Sequence, residues 1–480
     1  MAERSFAKEV KKLRHGAGEV FHGEGILAVT KGLLQSGVAY VGGYQGAPVS
    51  HLMDVLADSQ EILSELGVHF EANGSEATAA AMLSASISYP LRGAVTWKST
   101  VGTNVASDAL SNLASAGVIG GTVIIIGEDY GEGASIMQER SHAFAMKSQM
   151  WLINPRPNLP KMVDMLEKSF QLSEASNTPL FFQMRIRACH LHGQFETKDN
   201  LKPAFTVRDA LENPIREADK IILPPFTFLQ EKQKIEQRWP AAVDFIKEHN
   251  LNELFDGPEK DIGIVFEGGL YNVVIRALQM LGLADSLGDT QIPLYVMNVT
   301  YPLVDDQLVA FARDKKAILM VEEGQPNYIE QSLNKIFNDA NLTCKISGKD
   351  VLPVSGEYTG QVMKGGLKDF LAKYRPDLVK FDELDASVSA LADLKISADA
   401  LDKAIPARPP GLCTGCPERP FFSAIKMLEK DYGEIHISAD IGCNSFGTLP
   451  PFQIGNTIMG YGLGAASSSA FSSERGKRTL

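Results

Sequence analysis

Strand-like stretches recur along this chain between segments of helical spacing, and that alternation constrains its fold more than any other feature. VAYVGGY (38–44), VHFEANG (68–74), AVTWKS (94–99), GTVIIIGED (121–129) and TPLFFQMRIRA (178–188) are such strands. Runs like TVIIIG have no polar face, so they must be covered on both sides. A parallel sheet with helices above and below does this repeatedly. The expected helices are GEGILAVTKGLLQSG (23–37), QGAPVSHLMDVLADSQ (45–60) with Pro48 in its first turn, SEATAAAMLSASIS (75–88) capped by Ser75, and VGTNVASDALSNLASAG (101–117). Two more are expected near 136–148 and 159–174. The fold class is therefore α/β, with several doubly wound parallel-sheet domains.

Residues 1–22 read as a charged surface helix or arm, and 1–190 as one domain. Residues 191–258 are rich in Pro, Lys and Glu and read as a connector over the surface. A second αβ series follows over 259–375, with strands IGIVFEGG (262–269), PLYVMNV (293–299) and AILMVEEG (317–324). Residues 376–407 alternate Asp, Ala and Leu before a Pro-rich linker, IPARPPG, and a third domain begins at 408.

A net charge of −12 argues against nucleic acid, because little would neutralise phosphates. It suits a cytoplasmic enzyme. The N-terminus MAERSFAKEVKKLRHG has no apolar core, so no signal peptide is expected, and TVIIIG is far too short to cross a membrane. Five cysteines make no disulfide framework. Cys189 and Cys344 read as small buried hydrophobes. Cys413 and Cys416 form a CxxC, but a zinc site lacks its second pair, a cluster lacks four ligands, and a redox disulfide stays open.

Glu76 follows Ser75 at the start of a helix, after a strand. Loops at the carboxyl ends of parallel strands build sites in such sheets. By spacing alone, Glu76 reads rather as an exposed first-turn acid favoured by the helix dipole. YQGAPVS (44–50), WKSTVGTN (97–104) and GEDYGEGASIMQER (127–140) are further polar, Gly-rich strand-end loops, a plausible ligand rim. The chain contains no P-loop, and no GxGxxG at a strand-to-helix turn, which disfavours a generic nucleotide-binding protein.

YQGAPVS, FEANGSEATAAAM, VTWKSTVGTNVASDALSNLASAGV and GGTVIIIGEDYGEGASIMQER, in that order, resemble the pyrimidine-binding domain of 2-oxoacid:ferredoxin oxidoreductases, above all the large (alpha) subunits of the indolepyruvate type. DIGIVFEGG…VMNVTYPLVDD…LMVEEGQPNYIEQSL resembles their transketolase-C-terminal-like domain. RPPGLCTGCPERPFF and ADIGCNSFGTLPPF resemble the start of their diphosphate-binding domain. The resemblance implies thiamine diphosphate with Mg²⁺. Glu76 would bond N1′ of the aminopyrimidine and so promote loss of the C2 proton. Gly46, Pro48, Lys98, Gly102, Asn104 and Gln138 would line the cofactor from one side. Gly415, Cys416, Pro417, Arg419, Asp440, Ile441, Gly442 and Cys443 would line it from the other. An aryl 2-oxoacid such as indolepyruvate would be decarboxylated, with the acyl group passing to coenzyme A. Electrons would pass through a [4Fe-4S] cluster, on a further segment or a partner, to ferredoxin. A smaller gamma-type subunit and a homodimer or heterotetramer are also implied.

The chain departs from the family pattern at three places. Ala47 stands where Thr is usual, and Glu418 where His is common. A GDG motif followed by Asn, which holds Mg²⁺, is expected beyond Leu480, so no metal ligand is assigned here and the chain reads as C-terminally truncated. A non-redox 2-oxoacid decarboxylase and a non-catalytic scaffold subunit are the alternatives.

Overall fold

The computed structural model describes residues 5–128, 130, 140–378, scattered positions between 393 and 401, 411–460 and 462–471. The chain forms two compact units, Met1–Lys380 and Phe381–Leu480.

In chain order the strands of the first unit are β1 (Val20–Glu24), β2 (Tyr40–Gly43), β3 (His69–Ala72), β4 (Gly93–Lys98), β5 (Thr122–Gly127), β6 (Trp151–Ile153), β7 (Leu180–Met184), β8 (His192–Glu196), β9 (Glu253–Phe255), β10 (Ile262–Glu267), β11 (Leu294–Met297), β12 (Val299–Tyr301), β13 (Ala317–Val321) and β14 (Lys345–Ser347). A seven-stranded sheet has the order β12-β6-β7-β5-β4-β2-β3, parallel except for β12. A five-stranded sheet has the order β14-β13-β10-β11-β9, parallel except for β9. β1 and β8 form an antiparallel pair.

The apolar strands feed two cores each. Val123 and Ile125 of β5 join the core under helices Gly25–Gln35 and Leu159–Ser176, whereas Ile124 and Ile126 join the opposite one. β13 does the same in the smaller sheet, with Leu319 and Val321 on one face and Ile318 and Met320 on the other. Each such side chain contributes about 1.5–3 kcal/mol by burial.

Several local expectations change. The helices expected over 75–88 and 101–117 are each two, Glu76–Met82 with Ala85–Ser88 and Ser99–Val105 with Ser107–Ala116. The second helix is Ser50–Asp58, so Pro48 lies in the turn before it, with a cis Ala47–Pro48 peptide. The N-terminal arm holds a 3-10 turn, Glu9–Arg14, and then β1, which pairs with β8. The 191–258 segment is not wholly superficial. Its helix Trp239–Glu248 buries Ala242 and Ile246 in the main core, and β9 edges the smaller sheet. The single strand expected over 293–299 is two. β11 belongs to the smaller sheet, whereas β12 pairs with β6 of the larger. Asn298 makes the crossing, fully buried: its amide donates to Leu251 O and Glu253, and its Oδ1 and backbone O accept from Arg156 N and Asn154 N.

In the second unit, helix Glu418–Tyr432 packs Phe422 and Ile425 on Ile437 and Ile454. Beside it β15 (Ser438–Ala439) and β16 (Thr457–Ile458) form a short parallel pair.

Candidate functional site

The larger sheet reverses its winding between β2 and β4. From β2 the chain moves outward to β3, and from β4 it moves the other way to β5. In such sheets the crevice outside the carboxyl ends at this reversal is where ligands bind. The loops leaving β2 and β4 are in close contact there. A Cβ on Gly46 would lie 2.6 Å from Lys98 Cβ and 2.9 Å from Lys98 N, so only glycine permits the approach. Pro48 packs against Gly127 at the end of β5. Asn73 Oδ1, from the loop after β3, accepts from Gly43 N at 2.9 Å.

Glu76 opens helix Glu76–Met82 beside this crevice. Ser75 and Thr78 form a reciprocal capping box, Thr78 N donating to Ser75 Oγ and Ser75 N to Thr78 Oγ1. Glu76 is therefore not the capping group, and it is 4% exposed rather than a solvated first-turn acid. A Cβ on Gly102, from the helix after β4, would lie 2.4 Å from Trp97 Cδ1 and 2.9 Å from Glu76 Cγ. Trp97 is itself fixed by donating to Thr103 Oγ1 at 3.3 Å. Burial raises the Glu76 pKa, favouring a carboxyl that keeps its proton. Two of the expected residues, Glu76 and Gly102, are thus in contact, and Gly46, Pro48 and Lys98 form the adjacent rim. Asn104 lies exposed on helix Ser99–Val105. Gln138 lies outside the described residues.

The sequence reading missed a buried polar layer behind this rim. Glu128 accepts from Ser99 Oγ at 2.8 Å, from Ser141 N at 3.0 Å and from Tyr130. Arg140 pairs with Glu322 and with Glu267 at 3.2 Å, and Arg185 pairs with Glu323 and with Glu267 at 3.1 Å. This seam joins the two sheets. Burial raises the Glu322 pKa, and burial lowers that of Lys349, which donates to Glu322 O, to about 8. The strings GEDYGEG and VEEGQP carried the signal, but nothing in one sequence says which arginine meets which glutamate.

The second unit holds the other expected residues. Gly415 and Gly442 adopt φ of +76° and +124°. Pro417 precedes helix Glu418–Tyr432, and Cys416 N donates to Cys413 O. Arg419 donates to Leu412 O at 2.6 Å, which fastens the turn. Asp440 Oδ1 accepts from Gly462 N at 2.7 Å and Ile441 N at 3.1 Å. Cys443 follows Gly442 in a 3-10 turn. Its thiol pKa is raised by burial and by the nearby Glu418, Cys416 and Cys413. The five cysteines form no disulfide, and Cys189 and Cys344 are buried. Glu418 Oε2 is buried without a partner among the described residues. Among those residues no group of three or more His, Cys, Asp or Glu is arranged to hold a metal, and no helix is long and apolar enough to cross a membrane.

This is a doubly wound α/β protein with a buried carboxyl group at the reversal crevice. The chain is similar along nearly its whole length to subunits of indolepyruvate oxidoreductases. Indolepyruvate oxidoreductase subunit IorA of Methanothermobacter thermautotrophicus is 26% identical over 461 residues, covering 94% of this chain and 68% of that protein. The subunit of the same name from Pyrococcus abyssi is 26% identical over 443 residues, 91% of this chain and 63% of that protein. The chain thus spans about two thirds of these relatives' length. A solved 2-oxoglutarate:ferredoxin oxidoreductase from Magnetococcus marinus, with 2-oxoglutarate, coenzyme A and succinyl-CoA bound, shares the fold. Its TM-score is 0.57 at 14% identity, over 73% of this chain and 65% of that one. No protein-family model matches the chain.

Proposed function

We propose that the chain is the thiamine-diphosphate-binding part of a 2-oxoacid:ferredoxin oxidoreductase acting on aryl 2-oxoacids such as indolepyruvate. The observation that carries this is the buried Glu76 at the winding reversal, its pKa raised by burial, in a chain similar to the indolepyruvate oxidoreductase subunits over 94% of its length. A carboxyl group of raised pKa fits N1′ of an aminopyrimidine, because it must hold a proton against that ring nitrogen and also release it. Gly102 packs against it and against Trp97, and Gly46 lets the β2 loop close on Lys98. In the second unit, the positive-φ turns at Gly415 and Gly442, with Cys416, Pro417, Arg419, Asp440, Ile441 and Cys443, fit a cradle for the diphosphate. When bound, the cofactor supplies the sink for electrons left by departing CO₂. Mg²⁺, a [4Fe-4S] cluster, coenzyme A, ferredoxin and a smaller gamma-type subunit complete the reading, with pairing of copies into a homodimer or heterotetramer and a cytoplasmic setting.

The test is calorimetry of thiamine diphosphate with Mg²⁺ on this chain and on Glu76→Gln, with exchange of the cofactor's C2 proton followed by NMR. The expected outcome is binding by both and exchange slowed by on the order of 10²-fold or more in the variant. Equal exchange rates would remove Glu76 from the chemistry. If neither this chain nor one extended to the relatives' full length binds, the scaffold reading takes its place.

A further inference from the structure

One helix of the first unit is turned inside out. In Phe226–Gln233 and the π-helical turn Lys234–Arg238 that continues it, the buried side chains are Gln230, Lys234 and Arg238, all polar. The large apolar ones face outward: Phe228 is 74% exposed, and Leu229 and Ile235 are exposed too. A surface helix normally does the reverse and lays its apolar stripe on the core. Ile221 and Leu223, just before the helix, are also exposed. Thr227 N donates to Leu223 O and Phe228 N to Pro225 O, so Leu223 and Phe228 share one tight turn. Ile235 returns to about the same side of the helix as Phe228.

The inversion is pinned from behind. Gln230 accepts from Ser115 Oγ at 2.9 Å and donates to Asp219 O at 2.8 Å and Ile221 O at 3.2 Å. Arg238 donates to Ala114 O at 2.9 Å and to Ser115 O and Ala116 O at 3.1 Å, the last carbonyls of helix Ser107–Ala116. The polar side chains thus find their partners inward, and the apolar ones are held outward. A contiguous apolar patch of this kind marks an interaction site, and its prior ordering lowers the entropy lost on association. Charge decides what covers it. Residues 207–238 hold six Lys or Arg and six Asp or Glu, so the whole net charge of −12 lies elsewhere in the chain. The exposed acids Glu212, Glu231 and Glu236 are each paired within the segment, with Arg208, Lys234 and Lys232. A neutral face draws no basic protein by long-range attraction. Two copies repel across the acidic remainder but can close on one another here. Both signs are interleaved with the apolar side chains, so the face is self-complementary under a two-fold axis.

We infer that this face, centred on Leu223 and Phe228, is where two copies of the chain pair about a two-fold axis. The inference gives a surface to the pairing of copies in the proposed function and rests on that part of the reading, not on the cofactor or the reaction.

The experiment is sedimentation velocity of this chain over a range of concentrations, with Phe228→Glu on the face and Leu287→Glu, in the loop after helix Tyr271–Met280, as the control off it. Both side chains are largely exposed, so both variants are expected to keep the melting temperature of the unaltered chain. Should Phe228→Glu lower it, Leu223→Glu is read in its place. The unaltered chain is expected to form a dimer. Phe228→Glu is expected to raise the dissociation constant about tenfold or more, and Leu287→Glu to leave it within about twofold. A monomeric unaltered chain, or a Phe228→Glu chain that pairs as tightly as the unaltered one, overturns the assignment. A chain that is monomeric alone but binds a smaller subunit in a Phe228-dependent way also overturns it, and gives the face to that subunit. Calorimetry of thiamine diphosphate with Mg²⁺ on the same samples separates the two readings. Phe228-dependent pairing without cofactor binding keeps the face and overturns the proposed reaction. Cofactor binding by a monomeric unaltered chain does the opposite.

Discussion

A methyl group added at Gly102 would lie 2.4 Å from Trp97, whereas one added at Gly415 or Gly442 would meet nothing within 4 Å. The two regions are thus built in opposite ways. Gly102 is packed on both Trp97 and Glu76, and burial is what raises the carboxyl group's pKa. The loops of the second unit have open space around backbone in left-handed conformations. That suits groups that present N–H donors to a large anion.

The largest expected effect lies in the packed region. Arg185→Met strips Glu323 of its guanidinium partner in the seam and leaves Glu267 paired with Arg140. It is expected to cost about 3–5 kcal/mol in urea unfolding. A loss under about 1 kcal/mol would mean that the seam is wet, and the contrast would weaken. Next, Gly102→Ala crowds Trp97 and Glu76 and is expected to cost about 1–3 kcal/mol, and to slow C2 exchange as well. Gly415→Ala meets no atom, so only its left-handed backbone opposes it, at about 1 kcal/mol, read from the unfolding of the second unit. If these two glycines rank the other way, the comparison is broken.

The smallest effect sharpens the comparison through pH. The folded-state pKa of Glu76 is raised, so the folded protein binds the more protons between the ordinary carboxylate pKa and the raised one. Its contribution to stability is present below the unfolded pKa and is lost as pH rises through the folded pKa. Glu76→Gln abolishes that loss. Its melting temperature is expected to exceed that of the unaltered protein near pH 8 and to approach it near pH 4, as calorimetric scans would show. The opposite sign would mean that Glu76 is stabilised as an anion.

The doubly wound architecture was legible because β5, β10 and β13 are apolar on both faces, which leaves few other folds open. The placement of Glu76 after a strand was legible too. Its burial was not, because burial comes from Gly102, 26 residues away, and from Trp97 at the end of β4. The Arg140–Glu322 pair spans 182 residues, and no local pattern encodes such a partnership. The end of the second helix was clear in the sequence, but its start was not. Pro48 fits a first helical turn or a tight turn before one, and the packing of Pro48 on Gly127 accompanies the second. The 191–258 segment looked superficial because its composition is polar. Two apolar positions in one helix, Ala242 and Ile246, were enough to bury it.

Asn298 sets a limit on how such a chain can be assembled over evolutionary time. One residue separates β11 from β12, yet the two strands serve different sheets. A genetic crossover placed between residues 197 and 252 would deliver the smaller sheet together with a border strand of the larger one. The incoming β12 would have to match β6 of its new host, and its Asn298 would have to find equivalents of Asn154 and Arg156. The two sheets are thus expected to be inherited together, so that gene fissions and fusions among related chains fall outside this region.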